Sequence, residues 1–131
     1  MTLLLDTHIW IWSVGSPDRI STGARAALSN PANTVALSSV SVWEVLLLAE
    51  RGRVDLSPDP WSWIRTALAT RPMREFPLTC EVALRSRSIR VSHDDPADRF
   101  IAATAIVHGL TLVTADRMLL ECPDLGVLPG A

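Results

Sequence analysis

Three short apolar runs constrain the fold more than any other feature: Leu3-Leu4-Leu5, Thr34–Leu37 and Leu110-Thr111-Leu112-Val113-Thr114. Each is too short for a helix and lacks the apolar–polar alternation of a half-exposed strand. That is the pattern of a strand buried on both faces. Such a strand needs cover on both sides, so the segments between must supply helices. They do. Residues 7–12 read as helical. Ser21 or Thr22 caps a short helix closed by Asn30-Pro31. Ser41-Val42-Trp43-Glu44 has the capping-box pattern and opens a helix to about Glu50, stopped by Gly52. Residues 61–70 read as a helix, and Thr79 caps another running toward Ile89. Met73–Pro77 reads as irregular or briefly extended, and Val127-Leu128 as a last short strand. Strands alternating with helices predict an α/β fold, a parallel sheet with helices on both faces. With no linker, repeat or low-complexity tract, residues 1–131 form one domain, long enough for a real core.

The stretch from His93 to Ala105 is the richest in chemistry. Asp94, Asp95 and Asp98 precede an Ala-rich apolar run. Asp95 suits an N-cap, and Pro96 suits the first helical position, where its missing N–H has no partner to lose. Ile101, Ala102 and Ala105 follow Asp98 at helical spacing, so Asp98 sits at the rim of a buried stripe. Read alone, these acids need only cap a helix.

Three more acids fall at the same edge of the expected sheet. Asp6 follows the first strand, Glu44 opens the helix after the second, and Asp116 stands just past the strand at 110–114. Functional groups in such sheets gather where strands end and helices begin. Asp98 joins them only if its own helix starts near that edge. Carboxylates gathered in one partly buried place repel and raise one another's pKa, which calls for a compensating cation. Oxygen ligands alone point to Mg²⁺ or Mn²⁺ rather than Zn²⁺. His8 and His93 lie near acids, but their spacing suggests hydrogen-bonding or surface roles.

Composition narrows the alternatives. The net charge of −2 gives no general pull on nucleic acid, so a polyanion must be held locally. All twelve basic residues are arginine. Without lysine there is no P-loop, no Schiff base, and no acidic pocket of the receiver-domain or haloacid-dehalogenase type. Arg85, Arg87 and Arg90 suit a solvated helix C-terminus. Cys80 and Cys122 are expected to be reduced, and with no export signal or apolar span the chain is expected in the cytoplasm, off the membrane.

Four motifs in order resemble the PIN-domain family, in particular the VapC-type toxins of bacterial toxin–antitoxin pairs. They are Leu4-Leu5-Asp6-Thr7-His8, Ser39-Val40-Ser41-Val42-Trp43-Glu44, Asp95-Pro96-Ala97-Asp98-Arg99 with Ile101–Ala105, and Leu112-Val113-Thr114-Ala115-Asp116. The resemblance implies a parallel sheet of about five strands and a Mg²⁺-dependent endoribonuclease, with Mn²⁺ as a substitute. By position Asp6, Glu44, Asp98 and Asp116 become the catalytic, metal-holding quartet, with Thr114, Asp95 and Thr7 in support. One ion, or two about 3.5–4 Å apart, would activate water for in-line attack on phosphorus. The cut would leave a 5′-phosphate and a 3′-hydroxyl. Arg99 and Arg117 flank the acids and are candidates to hold RNA backbone.

Two rivals remain at this stage: a structure-specific DNA nuclease of the same fold, and a catalytically silent interaction module whose acids are structural. The helix at 41–50 is apolar on more than one side. Trp43, Leu47 and Leu48 form a second stripe, to which Trp10 and Trp12 add aromatic surface. Such a helix is covered on both faces, so these five residues are expected at an interface. The resemblance implies a homodimer and a cognate antitoxin as partners, besides the RNA substrate.

Overall fold

The computed structural model describes residues 1–92 and 94–131. The expected role of His93 lies outside the described residues. Five strands form one sheet: β1 (Thr2–Leu5), β2 (Thr34–Ser38), β3 (Arg74–Phe76), β4 (Thr111–Thr114) and β5 (Gly126–Pro129). Their order is β3-β2-β1-β4-β5, and every neighbouring pair is parallel. Seven α-helices are described: α1 (Thr7–Gly15), α2 (Thr22–Ser29), α3 (Ser39–Glu50), α4 (Pro60–Thr70), α5 (Cys80–Ser86), α6 (Pro96–His108) and α7 (Arg117–Leu120).

The pleat divides the core. Side chains alternate across a strand, so Leu3 and Leu5 join one apolar cluster and Leu4 the other. Leu37 and Val113 share the first side with Ile9, Trp10 and Ile64. Ala36 and Leu112 share the second with Val82, Ile101 and Leu119. Helices therefore cover both faces. Helix α3 contributes Val40 to one cluster and Val45 to the other. Its Trp43, Leu47 and Leu48 side belongs to neither cluster, and Trp43 is exposed. No helix among the described residues is long and apolar enough to cross a membrane.

Local signals decide most boundaries. Asp95 Oδ1 accepts from the N–H groups of Ala97 and Asp98, with Pro96 opening α6. Gly109 closes it at φ +65°, a conformation glycine adopts without strain. Three boundaries differ from the sequence reading. Helix α3 starts at Ser39, because β2 runs straight into it and the Ser38 hydroxyl accepts from Val40 N–H. Ser41 therefore lies inside the helix and caps nothing. Helix α5 stops at Ser86 instead of continuing toward Ile89, where Arg99 captures the outgoing carbonyls. Asp116 opens a further turn, α7, by accepting from Met118 N–H.

Sheet order positions the site. The chain steps outward from β1 to β2 and β3, then returns to place β4 on the other side of β1. The crevice between the ends of β1 and β4 is the switch point at which such sheets bind ligands. Helix α6 ends three residues before β4 begins. It reaches β4 from the opposite edge of the sheet, so its N-terminus lies at the carboxyl edge beside that crevice. This supplies what the sequence left open for Asp98.

Candidate cation site

Asp6 leaves β1 in extended conformation and caps α1. It is only 6% exposed. Its Oδ1 accepts from Thr7 N–H at 2.8 Å and its Oδ2 from the Thr114 hydroxyl at 2.7 Å. The same Thr114 oxygen accepts from Asp116 N–H at 3.0 Å, so the ends of β1 and β4 are tied through one buried threonine. The Thr7 hydroxyl donates to Ser41 Oγ at 3.0 Å and ties α1 to α3. One turn beyond Ser41, Glu44 is 9% exposed, and its Oε1 has no hydrogen-bond partner among the described residues.

One carboxylate oxygen from each of Glu44, Asp95 and Asp98 lies within 4.8 Å of the other two. Asp95, assigned a supporting position in the sequence reading, thus stands in the tightest acidic group. Asp6 and Asp116 stand across from it, lining a cavity of about 290 Å³ with Asp98, His8, Trp12 and Ala115.

These groups feel one another. Burial pushes the Asp98 carboxyl up to about 8, reinforced by the charges of Asp6, Asp95, Glu44 and Asp116. Asp6 is raised by burial, against the Thr114 and Thr7 hydrogen bonds. Glu44 is raised by burial and then by Asp6 and Asp95, against the Thr7 hydroxyl beside it. A buried, unpartnered carboxylate oxygen costs about 1–3 kcal/mol or more when left bare. The donor set of Glu44, Asp95 and Asp98 is oxygen-only. These residues fit a hard divalent cation.

The sign of the pH dependence follows. All three folded pKa values lie above those of the unfolded chain, so the unfolded chain sheds its protons first. Stability is full below about pH 4 and falls as pH rises toward the folded values, up to about 8 for Asp98. The acids held low, Asp59 and Asp124, act below pH 4 and leave this window untouched. The metal-free protein is therefore expected to melt several degrees lower at pH 8 than at pH 5, and a divalent cation at pH 8 to reverse the loss. Calorimetry at both pH values checks this. A melting temperature that is flat across the window and insensitive to the cation would show that the acids do not act together.

Two candidates are placed elsewhere. Trp10 is 1% exposed and packs edge-on against Trp63, 5.4 Å between ring centroids. It belongs to the core and offers no surface to a partner. Arg99 is 6% exposed. Its guanidinium donates to the carbonyls of Ser86 at 2.8 Å, Ile89 at 3.2 Å and Val91 at 3.3 Å. It clamps the connection between α5 and α6 and is not presented to RNA. Arg117 is exposed beside Asp116. Trp43 is 52% exposed and lines an apolar cavity of about 310 Å³ with Val40, Leu78 and Phe100. Leu47 and Leu48 are half-buried. Ser41, read only as a cap, proved to be the hydroxyl that receives Thr7. Its i+3 spacing to Glu44 was the available signal.

A switch-point crevice lined by carboxylates on a five-stranded parallel sheet defines an α/β protein with an acidic site at the carboxyl edge of its sheet. The chain belongs to the PIN-domain family, whose model matches residues 3–124. It is 38% identical over 119 residues to Ribonuclease VapC22 of Mycobacterium tuberculosis, covering 90% of this chain and 89% of that protein. Among solved structures it is similar to VapBC2 from Rickettsia felis bound to a DNA fragment from their promoter. That match has a TM-score of 0.76 at 20% identity over the whole of both chains. FitAcB from Neisseria gonorrhoeae is similar with a TM-score of 0.68 at 25% identity, covering 97% of this chain and 96% of that one.

Proposed function

We propose that the chain, acting over residues 1–131 as one PIN domain in the cytoplasm, is a Mg²⁺-dependent endoribonuclease and the toxin of a toxin–antitoxin pair. The observation that carries the reading is the buried, unpartnered Oε1 of Glu44, a residue clustered with Asp95 and Asp98, in a chain 38% identical to a ribonuclease. When bound, Mg²⁺ supplies a Lewis acid that acidifies a water and offsets charge at the scissile phosphate. Asp6, Asp98, Asp116 and Glu44 would hold the cation, with Asp95 in support beside Glu44 and Asp98. The Thr114 hydroxyl fixes the rotamer of Asp6. Glu44, with its buried Oε1 unpaired and its carboxyl raised, would either ligate the cation or take the proton of the attacking water. The water oxygen would bond to phosphorus as the P–O3′ bond breaks, and the departing O3′ would take a proton from solvent, leaving a 3′-hydroxyl and a 5′-phosphate.

The test is end mapping on total RNA with Mg²⁺ or with chelator, and on single- and double-stranded DNA in parallel. Cuts bearing 5′-phosphates on RNA, lost with chelator, are expected. Equal cutting of DNA would favour a DNA nuclease, and no cutting of either would leave an interaction module.

The partners follow the same reading. A solved structure of similar fold is a toxin–antitoxin complex from Klebsiella pneumoniae, which supports a cognate antitoxin here. Helix α4 covers the Val42–Leu46 side of α3, while Trp43 stays exposed with Leu78. A homodimer and an amphipathic antitoxin segment are expected to share the Trp43, Leu47 and Leu48 side of α3. Light scattering is expected to show a dimer. Trp43→Glu is expected to weaken dimerisation or antitoxin binding at least tenfold. A variant that retains both at full strength would place the interface elsewhere.

A further inference from the structure

Among the rings on the molecule, Trp12 stands apart. Helical spacing sends Trp10 and Trp12 to opposite sides of α1, since two residues rotate the direction by about 200°. Trp10 enters the core. Trp12, with His8 one turn before it, lines the acidic cavity beside Asp6, Asp98 and Asp116. The His8 and Trp12 rings lie 6.1 Å apart, tilted by 59°. The Arg19 guanidinium lies over the Trp12 ring, 4.2 Å from its centroid. Arg19 is exposed, and no carboxylate among the described residues pairs with it.

The backbone holds this pair in place. Ser16 N–H donates to Trp12 carbonyl at 2.8 Å and Arg19 N–H to Ser16 carbonyl at 2.9 Å, folding the chain back over the helix end. A surface arginine stacked on tryptophan has an innocent role, fastening a turn at about 0.5–1 kcal/mol. Its position argues for more. In a chain with net charge −2 and no lysine, this is a planar cation on an aromatic ring that itself lines the acidic cleft. Nucleobases stack on aromatic rings and on arginine planes, and only unpaired bases offer a free face.

We infer that Arg19, backed by Trp12, forms a stacking subsite for one unpaired nucleobase next to the phosphate held at the acids. The subsite makes the enzyme selective for single-stranded or looped RNA. A duplex keeps its bases stacked inside and cannot use it. The inference rests on the endoribonuclease reading.

The probe is a single-stranded oligoribonucleotide carrying 2-aminopurine, whose fluorescence falls on stacking, and its duplex as control. Binding is measured with Mg²⁺ in an Asp98→Asn background that leaves the strand uncut. Quenching is expected with the single strand alone. Arg19→Ala and Trp12→Leu are expected to abolish it and to weaken binding about 5- to 100-fold, the range of one stacked base. Arg19→Lys keeps the charge and loses the plane, so it is expected to restore attraction but not quenching. Arg19 is exposed, so its substitution keeps the test valid if Trp12→Leu fails to fold. Quenching that is absent in the parent, or equal in parent and Arg19→Ala, overturns the subsite. If the wild type cuts RNA in that case, the endoribonuclease reading still stands; a wild type that cuts no RNA removes that reading itself.

Discussion

Asp98→Asn is expected to reduce RNA cleavage about 10³-fold, the loss that removing several kcal/mol of cation-borne stabilisation produces. The metal-free variant is expected to melt higher than the wild type. The two effects have one cause. Asp98 faces the charges of Asp6, Asp95, Glu44 and Asp116, and burial holds its own carboxyl up to about 8. An amide of the same shape removes the repulsion and also removes a ligand. Relief of 1 kcal/mol raises the midpoint by about 4 °C in a chain of this size. Asp98 is a cleaner probe than Asp6, both of whose oxygens also hold Thr7 and Thr114. Differential scanning calorimetry in chelator, beside a single-turnover cleavage assay, checks both. A variant that cleaves normally would remove Asp98 from the site. One that loses activity and also melts lower would show a structural role.

Arg99→Met is expected to destabilise the fold by about 3–5 kcal/mol, the scale of breaking a buried, fully used charged group. Three main-chain carbonyls would lose a donor at once, with Ile89 keeping only the N–H of Val91. Leaving a buried acceptor unpaired costs about 1–3 kcal/mol, and water can reach the Val91 side in part, which trims the sum. Arg99→Lys is not expected to rescue it, because one ammonium cannot reproduce a planar fork that spans three carbonyls. The connection it clamps leads into Asp95 and Asp98, so cleavage is expected to fall with stability. Urea unfolding beside an RNA-binding titration tells this from the alternative. Normal stability with weakened RNA binding would make Arg99 a substrate contact.

Much of this molecule is written locally. Leu3-Leu4-Leu5 can only be a strand buried on both faces, and the pleat sends Leu4 to the opposite layer from its neighbours. Asp95-Pro96 and Gly109 mark the ends of α6 because cap chemistry and φ preference act within a few residues. Asp6, Asp98 and Asp116 each sit at a helix start that flanking residues define, whereas Glu44 lies inside α3.

What covers a helix, and which strand neighbours which, depends on residues far along the chain. Trp10 and Trp12 look alike in sequence, yet one packs on Trp63 and the other opens onto the cleft. Asp95 reads as a cap and is one. Its position within 4.8 Å of Glu44 and Asp98 arises only when β4 returns beside β1 and brings α6 to the carboxyl edge. Arg99, beside two carboxylates in sequence, turns inward because the α5–α6 connection leaves carbonyls that only a buried fork can satisfy. Periodicity and capping are short-range and leave their mark in sequence. Long-range pairing and the satisfaction of buried polar groups are settled only when the layers close.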